Sequence, residues 1–191
     1  MATKKRLKLN IDGMSLPFMT WRAGQKEFMP LLLGFYWLTD TKTGRRKGVN
    51  YVIIEEPEMG LHPQAIKSVI LQIVNLLIRG YQVIVSTHSP VLLEFAWAFN
   101  ILKDAKADSS AFAELFDLGN IDDYSSIFNN ALINKKINTY YFDRQDDKVA
   151  VKDISSLDAG SEDLAVSEWG GLSSFSAKAN DIVSNIAANN G

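Results

Sequence analysis

Two short apolar runs, Tyr51–Ile54 and Gln82–Ser86, flank a stretch with helical periodicity. Pro63 marks a helix start, and Ile66, Val69, Ile70, Ile73, Val74 and Leu77 recur at helical spacing. Gly80 stands where a C′ glycine ends such a helix. Strand, helix and strand with short connections make a βαβ unit, whose strands run parallel. Parallel sheets are covered by helices, so the unit predicts an α/β fold with a mostly parallel sheet and flanking helices. Pro90 opens a third helix, reaching about Leu102.

The flanking segments are less regular. Leu7–Ile11 alternates as a short strand ending at the Asp12-Gly13 turn signal. Glu27–Leu38 is too apolar for a surface helix and reads as a buried one, irregular at Pro30. Asp40–Asn50 reads as an exposed loop. Ala111–Leu118 and Tyr124–Ile133 read as short helices. Thr139–Phe142 and Lys148–Asp153 read as a hairpin around Asp146-Asp147, and Ala177–Ala188 as a C-terminal helix. Asp158–Ser174 predicts no element. Within it, Trp169-Gly170-Gly171 suggests a packing turn under the C-terminal helix.

Composition removes several classes of function. The 191 residues contain no cysteine, so disulfides, thiol nucleophiles and thiolate metal sites are excluded. That agrees with a cytoplasmic protein. The longest apolar run, Phe28–Leu38, is far short of the roughly 20 residues a spanning helix needs. The basic N-terminus is followed by no long apolar stretch, so no secretory signal is expected. Residues 1–48 hold 10 basic and 3 acidic side chains (+7), and residues 49–191 hold 10 basic and 19 acidic (−9). Two readings fit the basic end: contact with a polyanion such as DNA, or a solvated tail and a solvated loop (Lys42, Arg45, Arg46, Lys47). Phe28, Phe35, Tyr36, Trp37, Trp97 and Phe99 are expected in the core rather than on a base-stacking platform.

The chemistry concentrates where the two strands of the unit end. The first runs into Glu55-Glu56-Pro57-Glu58-Met59-Gly60-Leu61-His62-Pro63. Carboxyl ends of strands are where ligands bind in an open α/β sheet. A phosphate-bound Mg²⁺ takes hard oxygen ligands, often through water, and hydrolysis needs a carboxylate to orient or deprotonate the attacking water. Glu55 and Glu56 could divide these two roles, or they could be an acidic surface loop. The second strand ends in Ser86-Thr87-His88-Ser89-Pro90, where an imidazole could reach a phosphate oxygen or a water. His62 and His88 are the only histidines, and each follows one strand.

These residues, in this order, resemble the later half of an ABC-type ATPase head. More closely, they are similar to the bacterial AAA-family ATP-binding proteins related to SMC and OLD-type ATPases. The resemblance covers residues 19–90 and implies a partial P-loop NTPase-type fold. It puts Glu55 at the Walker B acidic position, holding Mg²⁺ through water, and Glu56 at the catalytic glutamate. Gly60, Leu61 and His62 fall in the D-loop, and His88 falls at the switch histidine. Trp21-Arg22-Ala23-Gly24-Gln25 is similar to the signature motif, so Arg22, Ala23, Gly24 and Gln25 would meet ATP held by a second subunit.

Two departures stand out. Arg22 replaces the signature serine. No Gly-Lys dipeptide occurs anywhere, so the chain contains no Walker A cradle. Gly44-Arg45-Arg46-Lys47-Gly48 follows no strand and opens no helix. The resemblance therefore implies the C-terminal lobe of a head. A single domain, 1–191, would comprise a motif core (14–103) and an extension (104–191) with the hairpin and helix. The lobe would use ATP and Mg²⁺ only when completed by a Walker A-bearing lobe or chain, with a head-to-head dimer or self-association and with DNA as a partner of the full assembly. The alternative is a non-catalytic interaction or regulatory fragment. A nuclease centre of the Toprim type, which OLD-type relatives attach, is not expected, because Asp-x-Asp occurs nowhere.

Overall fold

The computed structural model describes residues 7–40, 42, 44–119, 128–129 and 135–189. The chain divides into two compact units, residues 1–87 and 88–191. The boundary falls inside the segment expected as the motif core. Tyr124–Ile133, expected as a helix, lies almost wholly outside the described residues.

The first unit begins with an antiparallel hairpin, β1 (Lys8–Ile11) and β2 (Met14–Pro17). Ile11 pairs with Met14 across a two-residue loop. Asp12 (φ 48°) and Gly13 (φ 82°) are both left-handed, as a type I′ turn requires. β2 was not expected, since Met-Ser-Leu-Pro has no β-branched residue. A 3₁₀ turn, Phe18–Thr20, then leads to Trp21. Its buried indole donates from Nε1 to Leu16 O at 3.0 Å and meets Phe18 edge-on at 5.2 Å.

Helix α1 (Ala23–Thr39) runs on through Pro30, which removes one backbone donor. The expectation of a buried helix is corrected: only Phe35 and Leu38 are buried, whereas Leu32, Leu33, Tyr36 and Trp37 are exposed. With Trp97 also exposed, the core expectation holds for Phe35 and Phe99 but fails for Tyr36, Trp37 and Trp97.

The basic loop after α1 is fastened to helix ends. Arg46 donates from Nε and Nη2 to Trp37 O at 3.0 and 2.8 Å, and its guanidinium lies 4.3 Å over the Trp37 ring. Tyr81 Oη donates to Leu38 O at 2.8 Å and accepts from Arg46 N–H at 2.6 Å. Arg45 Nη1 reaches Gly80 O at 3.4 Å. Cations at the carbonyl ends of helices satisfy orphan acceptors and oppose the negative end of the dipole. Arg45 and Arg46 thus serve the helix ends, which qualifies the reading of a merely solvated loop.

The βαβ unit is present. β3 (Tyr51–Glu55) and β4 (Gln82–Ser86) pair in parallel from Tyr51↔Gln82 to Glu55↔Ser86. Between them α2 (Pro63–Ile78) buries Ile66, Val69, Ile70, Ile73, Val74 and Leu76. Burying each such side chain contributes about 1.5–3 kcal/mol before entropy is counted. The helix closes with a Schellman motif: Gly80 (φ 92°) donates to Leu77 O and Tyr81 to Leu76 O, both at 3.1 Å. Tyr81 and Leu76 are both buried.

The other face of the pair differs from expectation. Tyr51, Ile53 and Ile84 are 59, 68 and 54% exposed. The expected mostly parallel sheet is also corrected. Among the described residues there is one parallel pair beside two antiparallel hairpins, each its own two-stranded sheet. The class remains α/β.

The second unit opens with α3 (Pro90–Asp104), followed by α4 (Ser109–Leu115). Phe95, Phe99, Phe112, Phe116 and Phe128 form a chain of ring contacts with centroids 5.3–6.0 Å apart. β5 (Tyr140–Gln145) and β6 (Lys148–Asp153) form the expected hairpin, with left-handed Asp146 in its turn. Leu93, Ala96, Ile154 and Leu157 make a small core. Trp169 packs against that core and donates from Nε1 to Leu157 O at 2.9 Å. Gly170 (φ 67°) lies so close to the Tyr141 ring that a Cβ would stand 2.6 Å from it. The Trp-Gly-Gly turn thus packs against the hairpin. A short helix α5 (Leu164–Ser167) precedes it, and α6 (Ser174–Asn189) ends the described chain.

Candidate functional site

The end of β3 is a strained turn. Glu55 pairs with Ser86 as the last rung of the ladder, and Glu56 N–H donates to Ser86 O at 2.9 Å. Glu56 then adopts φ 43°, a left-handed conformation that costs a non-glycine residue about 1–3 kcal/mol. The strand therefore stops alternating here, and Glu55 and Glu56 are no longer bound to opposite faces. Two overlapping turns follow: Met59 donates to Glu56 O and Leu61 to Glu58 O, each at 3.0 Å. Gly60 (φ 70°) occupies the third position of the second turn.

A cleft of about 240 Å³ opens beside this turn. It is lined by Glu55, Glu56, Pro57 and Met59 from the turn and by Glu27, Phe28 and Leu31 from α1. Its walls are mixed: carboxylates from two elements around an apolar floor. Glu27 is a lining residue that the motif reading missed. Its position three residues after Gly24, on the same helix face, is the signal that could have found it.

The signature-like residues stand at the start of α1. Arg22 is the exposed N-cap, and its own N–H donates to Gln25 Oε1 at 3.0 Å. That is the glutamine half of a capping box. Ala23 begins the helix and Gly24 follows, so Gln25 serves as a cap. The D-loop-like residues come to the same place. A Cβ on Gly60 would stand 2.9 Å from Gly24 Cα and would overlap Glu27 Oε2. A Cβ on Gly24 would overlap Gly60 O. Leu61 is partly buried, and His62 is the N-cap of α2, where its Nδ1 accepts from Gln64 N–H at 3.3 Å.

Thr87, one residue past β4, is tied to the same turn. Its Oγ1 donates to Glu58 Oε1 at 2.7 Å. His88 is exposed and begins the second unit, ahead of buried Ser89, the N-cap of α3. Within the first unit, then, Arg22, Ala23, Gly24, Gln25, Glu55, Glu56, Gly60, Leu61 and His62 share one end of the βαβ unit. Among the described residues, no group of three His, Cys, Asp or Glu is arranged to hold a metal ion.

Similarity to known proteins falls on this region. Residues 24–94 match the family described as "AAA domain, putative AbiEii toxin, Type IV TA system". A 68-residue stretch is 41% identical to the Old nuclease of Escherichia phage P2, covering 36% of this chain and 12% of that protein. The chain therefore spans only a small part of that relative's length. No solved structure matches. The matched span includes Gly24, Gln25, the Glu55–His62 turn and His88, while Arg22 and Ala23 lie just before it. The segment from Gly24 to Glu94 is thus similar to an AAA domain, and this chain to part of an Old nuclease.

Proposed function

We propose that this chain supplies one lobe of an ATP-hydrolysing head and works when a Walker A-bearing lobe or chain completes it. The observation that carries this reading is the cleft at the end of β3, with Glu55 and Glu56 on one wall and α1 on the other. Glu56, held in a strained turn, orients and deprotonates the attacking water. Glu55 would hold Mg²⁺ through its water shell. His88 contacts the terminal phosphate, and Arg22, Ala23, Gly24 and Gln25 face nucleotide on a second head.

The donor set suits a hydrated Mg²⁺, which keeps several waters and takes one or two carboxylates plus phosphate oxygens. When bound, Mg²⁺ would neutralise charge on the phosphates. ATP itself does not fit this chain alone, because the sequence has no Gly-Lys cradle and Arg45 and Arg46 are engaged at helix ends. The completing lobe supplies that cradle. Its strands and helices would cover the apolar face of Tyr51, Ile53 and Ile84. Head-to-head pairing, DNA as a partner of the full assembly and a cytoplasmic location belong to the same reading. No helix among the described residues is long and apolar enough to cross a membrane.

The test is ATP turnover with Mg²⁺. The pure 191-residue chain should be inactive. Completing it with a Walker A-bearing lobe or chain should restore hydrolysis, and Glu56→Gln should abolish that activity. Robust hydrolysis by the pure chain, lost in Glu56→Gln, would overturn the need for a second lobe.

One observation favours a second reading, a non-catalytic interaction module. The N–H of Arg22, at the α1 N-terminus, is already taken by Gln25. Calorimetry with a partner chain, with and without ATP and Mg²⁺, separates the two. Partner binding indifferent to nucleotide supports the module.

A further inference from the structure

Glu58 belongs to none of the roles assigned above, yet it makes a side-chain link between the two strand ends. Its Oε1 accepts from Thr87 Oγ1 at 2.7 Å, and its Oε2 is fully buried. A hydrogen bond is stronger where water is excluded, and losing a partner there is costly. Each partner occupies a telling position. Glu58 lies two residues after Glu56, inside the turn closed by Met59 N–H to Glu56 O. Thr87 lies one residue past β4 and immediately before His88. The backbone already joins these ends through Glu56 N–H to Ser86 O at 2.9 Å. That bond holds the root of the turn, whereas the Glu58–Thr87 bond holds its far side.

We infer that Glu58 is a positioning residue that latches the Glu56 turn to Thr87, fixing together the carboxylate turn and the point from which the His88 segment departs. A threonine donor and a glutamate acceptor suit this task. The β-branched hydroxyl has restricted rotamers, and the carboxylate is long enough to span the gap between strand ends. Movement of either strand end is thereby felt at the other. The catalytic meaning of the latch rests on the ATPase-lobe reading, but its existence does not.

The test uses the full chain without nucleotide. Thr87→Val removes the donor at nearly constant shape, and Thr87→Ser keeps it. Amide exchange is followed at Met59 and Leu61, whose N–H groups close the two turns, with Val69–Val74 of α2 as the reference. The imidazole of His88 is followed by NMR, which is simple in a chain with two histidines. Thr87→Val should speed exchange at Met59 and Leu61 by roughly 10- to 100-fold, the cost of removing the donor from a buried acceptor. It should also shift the His88 signals while leaving α2 protected, and Thr87→Ser should resemble the parent. Unchanged turn exchange and His88 signals in Thr87→Val would overturn the latch. So would an equal loss of protection throughout α2, which marks a merely structural bond. If Thr87→Val does not fold, Glu58→Asp, one methylene shorter, is read in the same way against Thr87→Ser. A latch that passes while the reconstituted assembly hydrolyses no ATP would count against the ATPase reading alone.

Discussion

Gly24 and Gly60 meet backbone to backbone: a Cβ on Gly60 would stand 2.9 Å from Gly24 Cα, and a Cβ on Gly24 would overlap Gly60 O. The contact joins the first turn of α1 to the turn after β3, 36 residues apart in sequence. Neither glycine has room for a methyl group, and on the Gly24 side the obstacle is backbone.

Gly24→Ala and Gly60→Ala should therefore each lower stability by about 1–3 kcal/mol through overpacking, with Gly60→Ala also straining its left-handed φ of 70°. Gly13→Ala is the control, since Gly13 has φ 82° but open space around it. Thermal melts should rank Gly13→Ala as the mildest of the three. A Gly24→Ala protein as stable as the parent would remove the close approach from the account.

Glu56 sits in left-handed backbone without being glycine. Glu56→Gly and Glu56→Asn should be neutral or stabilising by up to about 1 kcal/mol. Glu56→Val should cost more than about 1 kcal/mol, since β-branched residues tolerate this region worst. Urea unfolding of the three variants checks the order. A protein stabilised by Glu56→Gly but inactive after reconstitution would mark strain retained for function.

Arg46 fastens the end of α1 through the Trp37 carbonyl and stacks on the Trp37 ring. Arg46→Ala should lower stability by about 1–2 kcal/mol. Arg46→Lys should recover only part of this, because an ammonium cannot reproduce the planar two-nitrogen contact. Tryptophan fluorescence and melting temperature of both variants provide the measurement, and full rescue by lysine would count against the fork geometry.

Three aspartates of the second unit are held below the ordinary value of 3.8. Asp108 is lowered by the Ser110 hydroxyl and then its N–H, at the N-cap of α4. Asp143 is lowered by Gln145 and then by Lys152, and Asp153 by the Ser155 hydroxyl and then its N–H. A depressed folded value favours the ionised, folded form. The stability these groups add is present above pH 3.8 and disappears as pH falls through their lower folded values. Carboxyl NMR titration should give midpoints below 3.8 for all three, and Asp153→Asn should weaken the acid dependence of the hairpin.

Much of the first unit was legible because its signals are local. Pro63, the helical spacing from Ile66 to Val74 and Gly80 each act within a few residues, and the helix and both strands lie where those signals put them. Burial was not legible for α1. Its apolar stripe says that a face wants cover, not that the cover lies within the chain, and Leu32, Leu33, Tyr36 and Trp37 remain exposed. The second strand of the first hairpin was hidden because Met14–Pro17 has weak strand propensity and is held by the Asp12-Gly13 turn. In the candidate site, motif spacing singled out Glu55 and Glu56, which line the cleft, and Gly60, which abuts Gly24. Glu27 and Gly60 lie 33 residues apart, and Glu58 and Thr87 lie 29 apart, and no local pattern announces such pairs.

The uncovered side of β3 and β4 also governs how the chain behaves in a tube. Tyr51, Ile53 and Ile84 stand in a row across two parallel strands, and a hydrophobic dye or another sheet edge will find them. Dye fluorescence and the tendency to aggregate thus become a partner assay that needs no nucleotide. A chain that truly completes this lobe should extinguish both signals on mixing, before any phosphate is released.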